Sequence, residues 1–277
     1  MRRWLALVLT ALFCLFGCSC RTEPDAEVLF YFFDVGQGDC TLIRTKDGDI
    51  LIDAGTEDAE QLLCLRLEQL GVTELALAVF THPDEDHIGG ADGVLSQFPA
   101  REVWLNGGSM ESIAGTLLLQ AAERSDSDVA VVMAGRLWSL GDLQLTVLYP
   151  DGSLGDGGNE DSIVLRVAFG ETVAIFSGDA GAEQEQRMLK RFGEAHLDCD
   201  LYKVGHHGSN TSSSKVFLEA MTPEYAVISC GAGNSFGHPT GEVLSRLEAV
   251  GADVKRTDLL GEILFACDGE QLWILDE

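Results

Sequence analysis

Basic side chains are scarce in this sequence. Its 277 residues include 18 Lys and Arg against 45 Asp and Glu, which gives a formal net charge of −27. A surface of that sign repels polyanions at long range and lacks the basic stripe with which dedicated nucleic-acid binders neutralise phosphates. No stable nucleic-acid partner is therefore expected, and most of the carboxylates are interpreted as a solvated surface.

Long hydrophobic runs are missing after residue 17. A membrane-spanning helix needs about 20 consecutive, mainly apolar residues. We therefore do not expect this chain to form a membrane channel. Its hydrophobic content of 46% is instead typical of a folded globular protein.

Paired C-x-x-C motifs are also missing, although the chain has 8 Cys. Export would place the protein where disulfides can form, and their pairing is left open. Cys40, Cys230 and Cys267 lie in apolar, strand-like runs. They are predicted to be buried free thiols.

The first 17 residues predict an export signal. Arg2 and Arg3 precede an apolar run at 4–16, which is too short to span a bilayer comfortably. Residues 1–17 are thus assigned to a signal peptide. The alternative is an uncleaved anchor.

The residues that follow suggest a lipid anchor. The segment 15–18 is similar to the bacterial lipobox, in which Cys18 would become the lipidated first residue, although Phe16 replaces the usual small residue. Residues 18–27 would then be the lipidated Cys and its tether. The protein is expected to be extracytoplasmic, anchored to the bacterial cell membrane as a lipoprotein or, with a plain signal peptide, secreted.

Strand and helix patterns alternate along the remainder. Strands are predicted at 28–33, 41–44, 50–52, 75–80, 143–148, 162–169, 173–176, 201–204, 225–229, 254–256, 263–266 and 272–275, and helices at 59–70, 111–123, 182–192, 214–221 and 241–250. Early hairpins, followed by strand–helix alternation in both halves, predict an α/β (α+β) fold of two mixed β-sheets flanked by helices. We assign one domain, residues 28–277.

The segment Thr81–Gly90 carries the strongest chemical signal. It places His82, Asp84, Asp86 and His87 within six residues, directly after a buried strand. Nitrogen and oxygen donors suit zinc, manganese or iron(II). Because alternate residues of an extended loop point differently, two neighbouring ions could be held. The alternative is a solvated acidic loop.

Other motifs narrow the interpretation. They are Phe33–Asp39, Ile50–Gly55, Asn159–Leu165, Ser177–Asp179, Lys203–Ser209 and Gly237–Pro239. Together with His82–Gly90, and in this order, they resemble the exported, ComEC-type DNA-uptake branch of the metallo-β-lactamase superfamily over roughly residues 28–270. The resemblance implies an αββα sandwich with two divalent metal ions, Zn or Mn, at the sheet edge.

The resemblance also implies a set of ligands. His82 and Asp84 would hold one metal and Asp86 and His87 the other. Asp179 would bridge the two ions, and His207 or His206 would complete the second site. The full set of expected metal ligands is His82, Asp84, Asp86, His87, Asp179, His206 and His207. Asp84 stands where many members of the superfamily have histidine, which makes the first site richer in oxygen; that site could be weak, manganese-selective or empty.

Residues around the ligands receive supporting roles. Asp53 is expected to orient the metal loop rather than bind metal, and Asn159 and Ser162 occupy the region of a histidine that the wider superfamily has. Asp34 and Asp39 are interpreted as turn residues. Catalytic roles are expected for Asp86, Asp179 and His238, the last as a hydrogen-bond donor to a phosphoryl oxygen.

The expected function is metal-dependent hydrolysis by a metal-activated water. Phosphodiester bonds are the favoured substrate, in DNA or a smaller molecule, because the resembled branch is linked with nuclease activity. The alternatives are an acyl or lactone hydrolase, and a non-catalytic binding protein with a vestigial metal site. A monomer is expected.

Overall fold

The computed structural model describes residues 26–152 and 155–275. The predicted signal peptide, Cys18 and the tether up to residue 25 lie outside this part of the chain. The strands are β1 Val28–Phe32, β2 Thr41–Thr45, β3 Gly48–Ile52, β4 Leu75–Phe80, β5 Ala100–Leu105, β6 Asp128–Val131, β7 Leu137–Leu140, β8 Leu143–Tyr149, β9 Val164–Phe169, β10 Thr172–Phe176, β11 Leu201–Lys203, β12 Tyr225–Ile228, β13 Asp253–Arg256, β14 Ile263–Cys267 and β15 Leu272–Leu275.

Helices connect many of these strands. They are α1 Glu60–Gln69, α2 Glu85–Ile88, α3 Ala91–Gln97, α4 Ile113–Arg124, α5 Ala182–Phe192, α6 Glu194–Leu197, α7 Lys215–Met221, α8 Gly241–Ala249 and α9 Thr257–Leu260, with short 3₁₀ segments at Glu57–Ala59, Asn159–Asp161 and Gly205–Gly208. Among the described residues, no helix has the length and apolar character needed to cross a membrane.

The strands form two mixed sheets. The first has the order β15-β14-β1-β2-β3-β4-β5-β6 and the second the order β13-β12-β11-β10-β9-β8-β7. Strands β3 to β6 run parallel to one another, as do β10 to β13. Antiparallel hairpins make up the remainder of each sheet.

Alternation along the strands explains the layers. In β1, Phe30 and Phe32 enter an apolar core between the sheets, whereas Tyr31 faces the opposite side. Phe176 of β10 contributes to the same inter-sheet core and packs against Phe30 and Phe32. Period-two alternation therefore gives each sheet one face toward the other sheet and one toward helices.

Helices cover both outer faces. Buried residues of α1, α3 and α4 pack on the first sheet, and those of α5, α7 and α8 pack on the second. The result is the predicted αββα sandwich of two mixed sheets flanked by helices, so the predicted fold class is confirmed. Three strands were not predicted, namely β5, β6 and β7.

Carboxyl ends of the parallel strands from both sheets meet at one edge. Four segments leave this edge: Asp53–Gly55 after β3, Thr81–Gly90 after β4, Ser177–Asp179 after β10 and Val204–Gly208 after β11. In open α/β sheets, ligand sites lie at the carboxyl ends of strands. The fold thus brings four sequence motifs to one place.

Candidate metal centre

The buried carboxylate of Asp53 holds the loop after β4 by hydrogen bonds. Its Oδ1 accepts a hydrogen bond from the Thr81 N–H at 2.7 Å, and its Oδ2 accepts one from the Thr81 hydroxyl at 2.8 Å. Asp53 Oδ2 also lies 2.8 Å from His87 Nδ1. Both imidazoles of the loop, His82 and His87, are buried. The backbone and one ring of the loop therefore share a single buried carboxylate.

Ser162 contacts both Asp179, which follows β10 of the second sheet, and His82, which follows β4 of the first. The Ser162 hydroxyl accepts a hydrogen bond from the Asp179 N–H at 3.0 Å and lies 3.2 Å from His82 Nδ1. Its own proton goes to the Asn159 carbonyl at 2.7 Å. Ser162 thus links the two sheets at the site and leaves His82 Nε2 as the ring atom that faces Asp179.

Ligand atoms from both sheets converge. His87 Nε2 lies 3.3 Å from Asp179 Oδ1, and His207 Nε2 lies 3.2 Å from Asp86 Oδ2 and 3.8 Å from Asp179 Oδ2. Of the four sets of three whose ligand atoms lie within 4.8 Å of one another, two consist of predicted ligands alone: His82, His87 and Asp179, and Asp86, His87 and His207. These five residues come from three separate segments of the chain.

Four buried polar atoms at this point lack a hydrogen-bond partner. They are His82 Nε2, His87 Nε2, His207 Nε2 and Asp179 Oδ1. An unpaired buried polar atom is destabilising by about 1–3 kcal/mol, so four of them together need a common explanation. Imidazole nitrogens and a carboxylate oxygen are the donor set that zinc and manganese accept. The residues present therefore fit a divalent cation.

The other predicted site residues lie around this group. Asp84 Oδ2 is 3.6 Å from His82 Nε2, but the Asp84 side chain is 47% exposed. His206 Nε2 lies 3.6 Å from Asp179 Oδ2 and 3.3 Å from Asn159 Nδ2. His238 is one ring further out, with its centroid 5.7 Å from that of His206. Their assignments as metal ligands, supporting groups or catalytic groups stay predictions.

A buried ion pair supports the site and was missed by the sequence interpretation. Lys203 Nζ lies 2.7 Å from Asp39 Oδ2, with both side chains almost fully buried. Asp39 Oδ1 is 3.1 Å from His207 Nδ1, which also lies 3.0 Å from the Ser229 carbonyl. Asp39 had been interpreted as a turn residue. The structure instead places the Asp39 carboxylate next to Nδ1 of His207, as it places the Asp53 carboxylate next to Nδ1 of His87.

The backbone of Asp39 also contacts the metal loop. The Asp39 N–H donates to the Asp86 carbonyl at 3.1 Å, and the Asp39 carbonyl accepts from the Gly55 N–H at 2.8 Å. A Cβ at Gly38 would lie 2.4 Å from the Asp86 carbonyl oxygen. Glycine is therefore required at position 38 for this close approach.

Three site residues have left-handed backbone conformations. The φ angles are 58° for Asp53, 50° for His206 and 52° for His207. Such angles are uncommon for residues other than glycine and are destabilising by about 1–3 kcal/mol each. Positions of this kind cluster at functional sites, where the surrounding structure holds them.

The charges at the centre shift one another's pKa values. Burial alone would raise the pKa of the Asp179 carboxyl, but His207 and His87 hold that pKa well below its ordinary value. Burial would lower the pKa of His87, but Asp179 and Asp53 raise it well above its ordinary value. Against the same effect of burial, Asp179 and Asp39 raise the pKa of His207 to about 10. The metal-free centre therefore holds protons at neutral pH.

Metal affinity is expected to increase with pH. Because His87 and His207 are protonated at neutral pH in the metal-free protein, a cation must displace their protons. For the proton displaced from His207, the apparent Kd should fall about tenfold per pH unit until the pH passes about 10, the pKa of His207. Displacement of the His87 proton changes the Kd in the same direction.

Calorimetric titration with Zn²⁺ or Mn²⁺ measures this effect, and buffers of different ionisation enthalpy give the number of protons released. His196→Gln is the matched control, since His196 lies on α6 away from the centre, and its proton release should equal that of the unchanged protein. A Kd that does not change with pH would contradict the expectation.

Comparison with known proteins agrees with this geometry. The model of the metallo-beta-lactamase superfamily matches residues 33–232. Competence protein ComA of Neisseria gonorrhoeae is 34% identical over 268 residues, which are 96% of this chain and 36% of that protein. ComE operon protein 3 of Bacillus subtilis (strain 168) is 30% identical over 275 residues, which are 92% of this chain and 35% of that protein.

Solved structures show the same fold at low sequence identity. The metallo-beta-lactamase fold protein YhfI from Bacillus subtilis is 10% identical with a TM-score of 0.54, over 88% of this chain and 99% of that chain. CmlA, a diiron beta-hydroxylase from Streptomyces venezuelae, is 14% identical with a TM-score of 0.59, over 87% of this chain and 54% of that chain.

The chain therefore has a hydrolase-type fold, and its clustered histidines and aspartates could bind metal. It belongs to the metallo-β-lactamase superfamily, and its curated relatives are competence proteins of the ComEC type. The predicted family is thus confirmed. The chain spans about a third of the length of those relatives, since it covers 36% and 35% of them.

Proposed function

We propose that this protein is a hydrolase of phosphodiester bonds that depends on two divalent metal ions, Zn or Mn. The observation that carries the proposal is the convergence of four buried ligand atoms without a hydrogen bond, from His82, His87, Asp179 and His207. One ion would be held by His82, Asp84 and Asp179. The other would be held by Asp86, His87, His207 and Asp179, and Asp179 would thus be shared by both sites.

Bound divalent ions would supply a water of lowered pKa and stabilise charge on the attacked phosphorus. The chain's own residues fix the geometry. Asp53 holds the His87 ring by its Nδ1, and Asp39 stands behind the His207 ring. Rings held in this way present Nε2 to the centre with little freedom to rotate, so the donor atoms are preorganised.

Polar side chains of His206, His238 and Asn159 lie on the open side of the centre. The His206 side chain is 27% exposed, and its Nδ1 lies 3.1 Å from the Thr211 hydroxyl, which leaves Nε2 toward Asp179 and Asn159. Burial, followed by the neighbouring His206 and His207, lowers the pKa of His238. His206, His238 and Asn159 could donate hydrogen bonds to phosphoryl oxygens.

The names of the relatives favour a phosphodiester over an acyl substrate. Besides the two competence proteins, Recombination protein 2 of Haemophilus influenzae, named for a process that acts on DNA, is 30% identical over 235 residues. The acidic charge of this chain favours short segments of substrate over long duplexes, because −27 repels a polyanion at a distance.

Metal analysis and a substrate panel test the proposal. The protein would be stripped with a chelator, reloaded with Mn²⁺ or Zn²⁺, and assayed on bis-p-nitrophenyl phosphate, single-stranded DNA, a homoserine lactone and nitrocefin. We expect about two equivalents of bound metal and cleavage of one or both phosphodiesters. Cleavage of the lactone or nitrocefin alone would establish an acyl hydrolase. Less than about half an equivalent of metal would favour the binding protein with a vestigial site.

We also propose that the protein acts outside the cytoplasm as a monomer, held at the membrane by a lipid on Cys18. Support comes from the basic and apolar residues that precede Cys18 in the sequence. Metabolic labelling with a tagged fatty acid should label the unchanged protein and not Cys18→Ser. Equal labelling of both would refute the anchor.

A further inference from the structure

Phe236 stands out by its exposure among the aromatic side chains of the described residues. Its side chain is 68% exposed, whereas every other phenylalanine, tyrosine and tryptophan of the described residues is buried or half-buried. A single exposed apolar residue is common on protein surfaces and does not by itself indicate a site. The position of this ring and the way in which its loop is held are what distinguish it.

The loop that carries Phe236 is closed by one side chain. Asn234 Oδ1 accepts a hydrogen bond from the His238 N–H at 3.0 Å, and Asn234 Nδ2 donates to the His238 carbonyl at 2.6 Å and to the Gly231 carbonyl at 2.9 Å. Phe236 lies inside the segment that these bonds close. A ring presented in this way loses little conformational entropy when a ligand binds to it.

A row of rings connects Phe236 to the metal centre. The Phe236 and His238 rings are stacked, with centroids 5.8 Å apart and planes inclined by 26°. The His238 ring meets that of His206 edge-on at 5.7 Å, and His206 Nε2 lies 3.6 Å from Asp179 Oδ2. The exposed ring therefore stands beside the open edge of the centre, two imidazoles away from the bridging carboxylate.

Charge cannot provide the affinity at this edge. A cavity of about 550 Å³ next to the centre is lined by Asp84, Asp156 and Glu160 together with Gly158 and Asn159. These carboxylates and the net charge of −27 oppose the phosphate neutralisation on which most nucleic-acid binding depends. A stacking contact needs no positive charge, and every nucleobase has a face that can make one.

We propose that Phe236 stacks on a nucleobase that adjoins the scissile phosphodiester, so that the substrate is a single-stranded or otherwise unstacked nucleotide. The proposal rests on the phosphodiesterase function proposed above, and it names the substrate class of that same site. In a duplex, each base already stacks on its neighbours, and exposing a base face carries an unstacking penalty. The ring thus selects single strands over duplexes.

Kinetics with two matched substrates test the proposal. One is the dinucleotide dTpdT, and the other has the same sugar–phosphate backbone without bases. Phe236→Ala should lower kcat/KM on dTpdT about tenfold, mainly through KM, because stacking of one base accounts for an effect of this size. It should leave the abasic substrate unchanged. Phe236→Trp should restore the rate on dTpdT. Leu259→Ala, at another exposed apolar residue, is the matched control and should change neither substrate.

Binding separates this proposal from the phosphodiesterase function. The fluorescence of the new tryptophan in metal-loaded Phe236→Trp is the difference between this variant and the unchanged protein. Thymidine 5′-monophosphate should quench it, and ribose 5-phosphate should not. If dTpdT is not cleaved but quenching occurs, the phosphodiesterase function fails and the stacking site stands. Equal rates of the unchanged protein on both substrates, or an equal loss on both in Phe236→Ala, would overturn the stacking proposal.

Discussion

Asp179→Asn is expected to reduce phosphodiester hydrolysis about 10³-fold. The carboxylate faces both His87 and His207, and it is the group proposed to bridge two cations. An amide keeps the shape but loses the charge, so several kcal/mol of transition-state stabilisation should be lost. Initial rates on bis-p-nitrophenyl phosphate and metal content, measured on the same preparations, check the expectation.

A control and a second readout separate chemistry from folding. Asp142→Asn changes an exposed carboxylate in the turn between β7 and β8, and its activity and metal content should equal those of the unchanged protein. In metal-free Asp179→Asn, the pKa of His207 should fall below about 10, since Asp179 is the main group that raises it. Retention of more than a tenth of the activity would remove Asp179 from the proposed mechanism.

Lys203→Met is expected to destabilise the fold by about 3–5 kcal/mol. Removal of one partner of a buried pair leaves the other as an uncompensated charge. Burial alone would raise the pKa of Asp39, and Lys203 is the main group that holds this pKa below its ordinary value. Without the ammonium, Asp39 takes up a proton more readily and holds the His207 ring less firmly. Metal affinity should fall by about 10–100-fold.

A double variant separates the two effects. In Asp39→Asn/Lys203→Met both charges of the buried pair are gone, so most of the stability should return. The metal affinity should stay low, because an amide replaces the carboxylate that contacts His207. Urea unfolding of the metal-free proteins gives the first quantity, and metal titration gives the second. A Lys203→Met protein within about 1 kcal/mol of the unchanged protein would show that the pair is not needed for the fold.

Most of the inner strands, though not β5, and the metal loop could be predicted from the sequence because local patterns encode them. Strand β4 is an unbroken buried run that ends at Phe80, two residues before His82, and both features are visible in the printed letters. The two edge strands were missed for the opposite reason. Strand β6 is mostly exposed and β7 alternates between exposed and half-buried residues, so pairing with one neighbouring strand, rather than an apolar pattern, defines them.

The support behind the histidines could not be predicted in the same way. Asp39 follows a glycine-rich turn and Lys203 ends a short strand, and 164 positions separate them. Each has an ordinary local interpretation, and the pairing exists only after the two sheets pack face to face. Asp53 was predicted to orient the metal loop, and its bonds to Thr81 and His87 are consistent with that role. The other roles assigned to site residues stay predictions.

The five cysteines of the described residues are buried free thiols, which confirms the prediction for Cys40, Cys230 and Cys267. Burial raises the pKa of each thiol, to about 11 for Cys64 and about 12 for Cys230. Since the thiolate is the reactive form, alkylating reagents and oxidants have almost no target in the closed protein. The rate at which these sulfurs are labelled therefore follows the fraction of molecules that are transiently open, and the cysteines serve as built-in reporters of local unfolding.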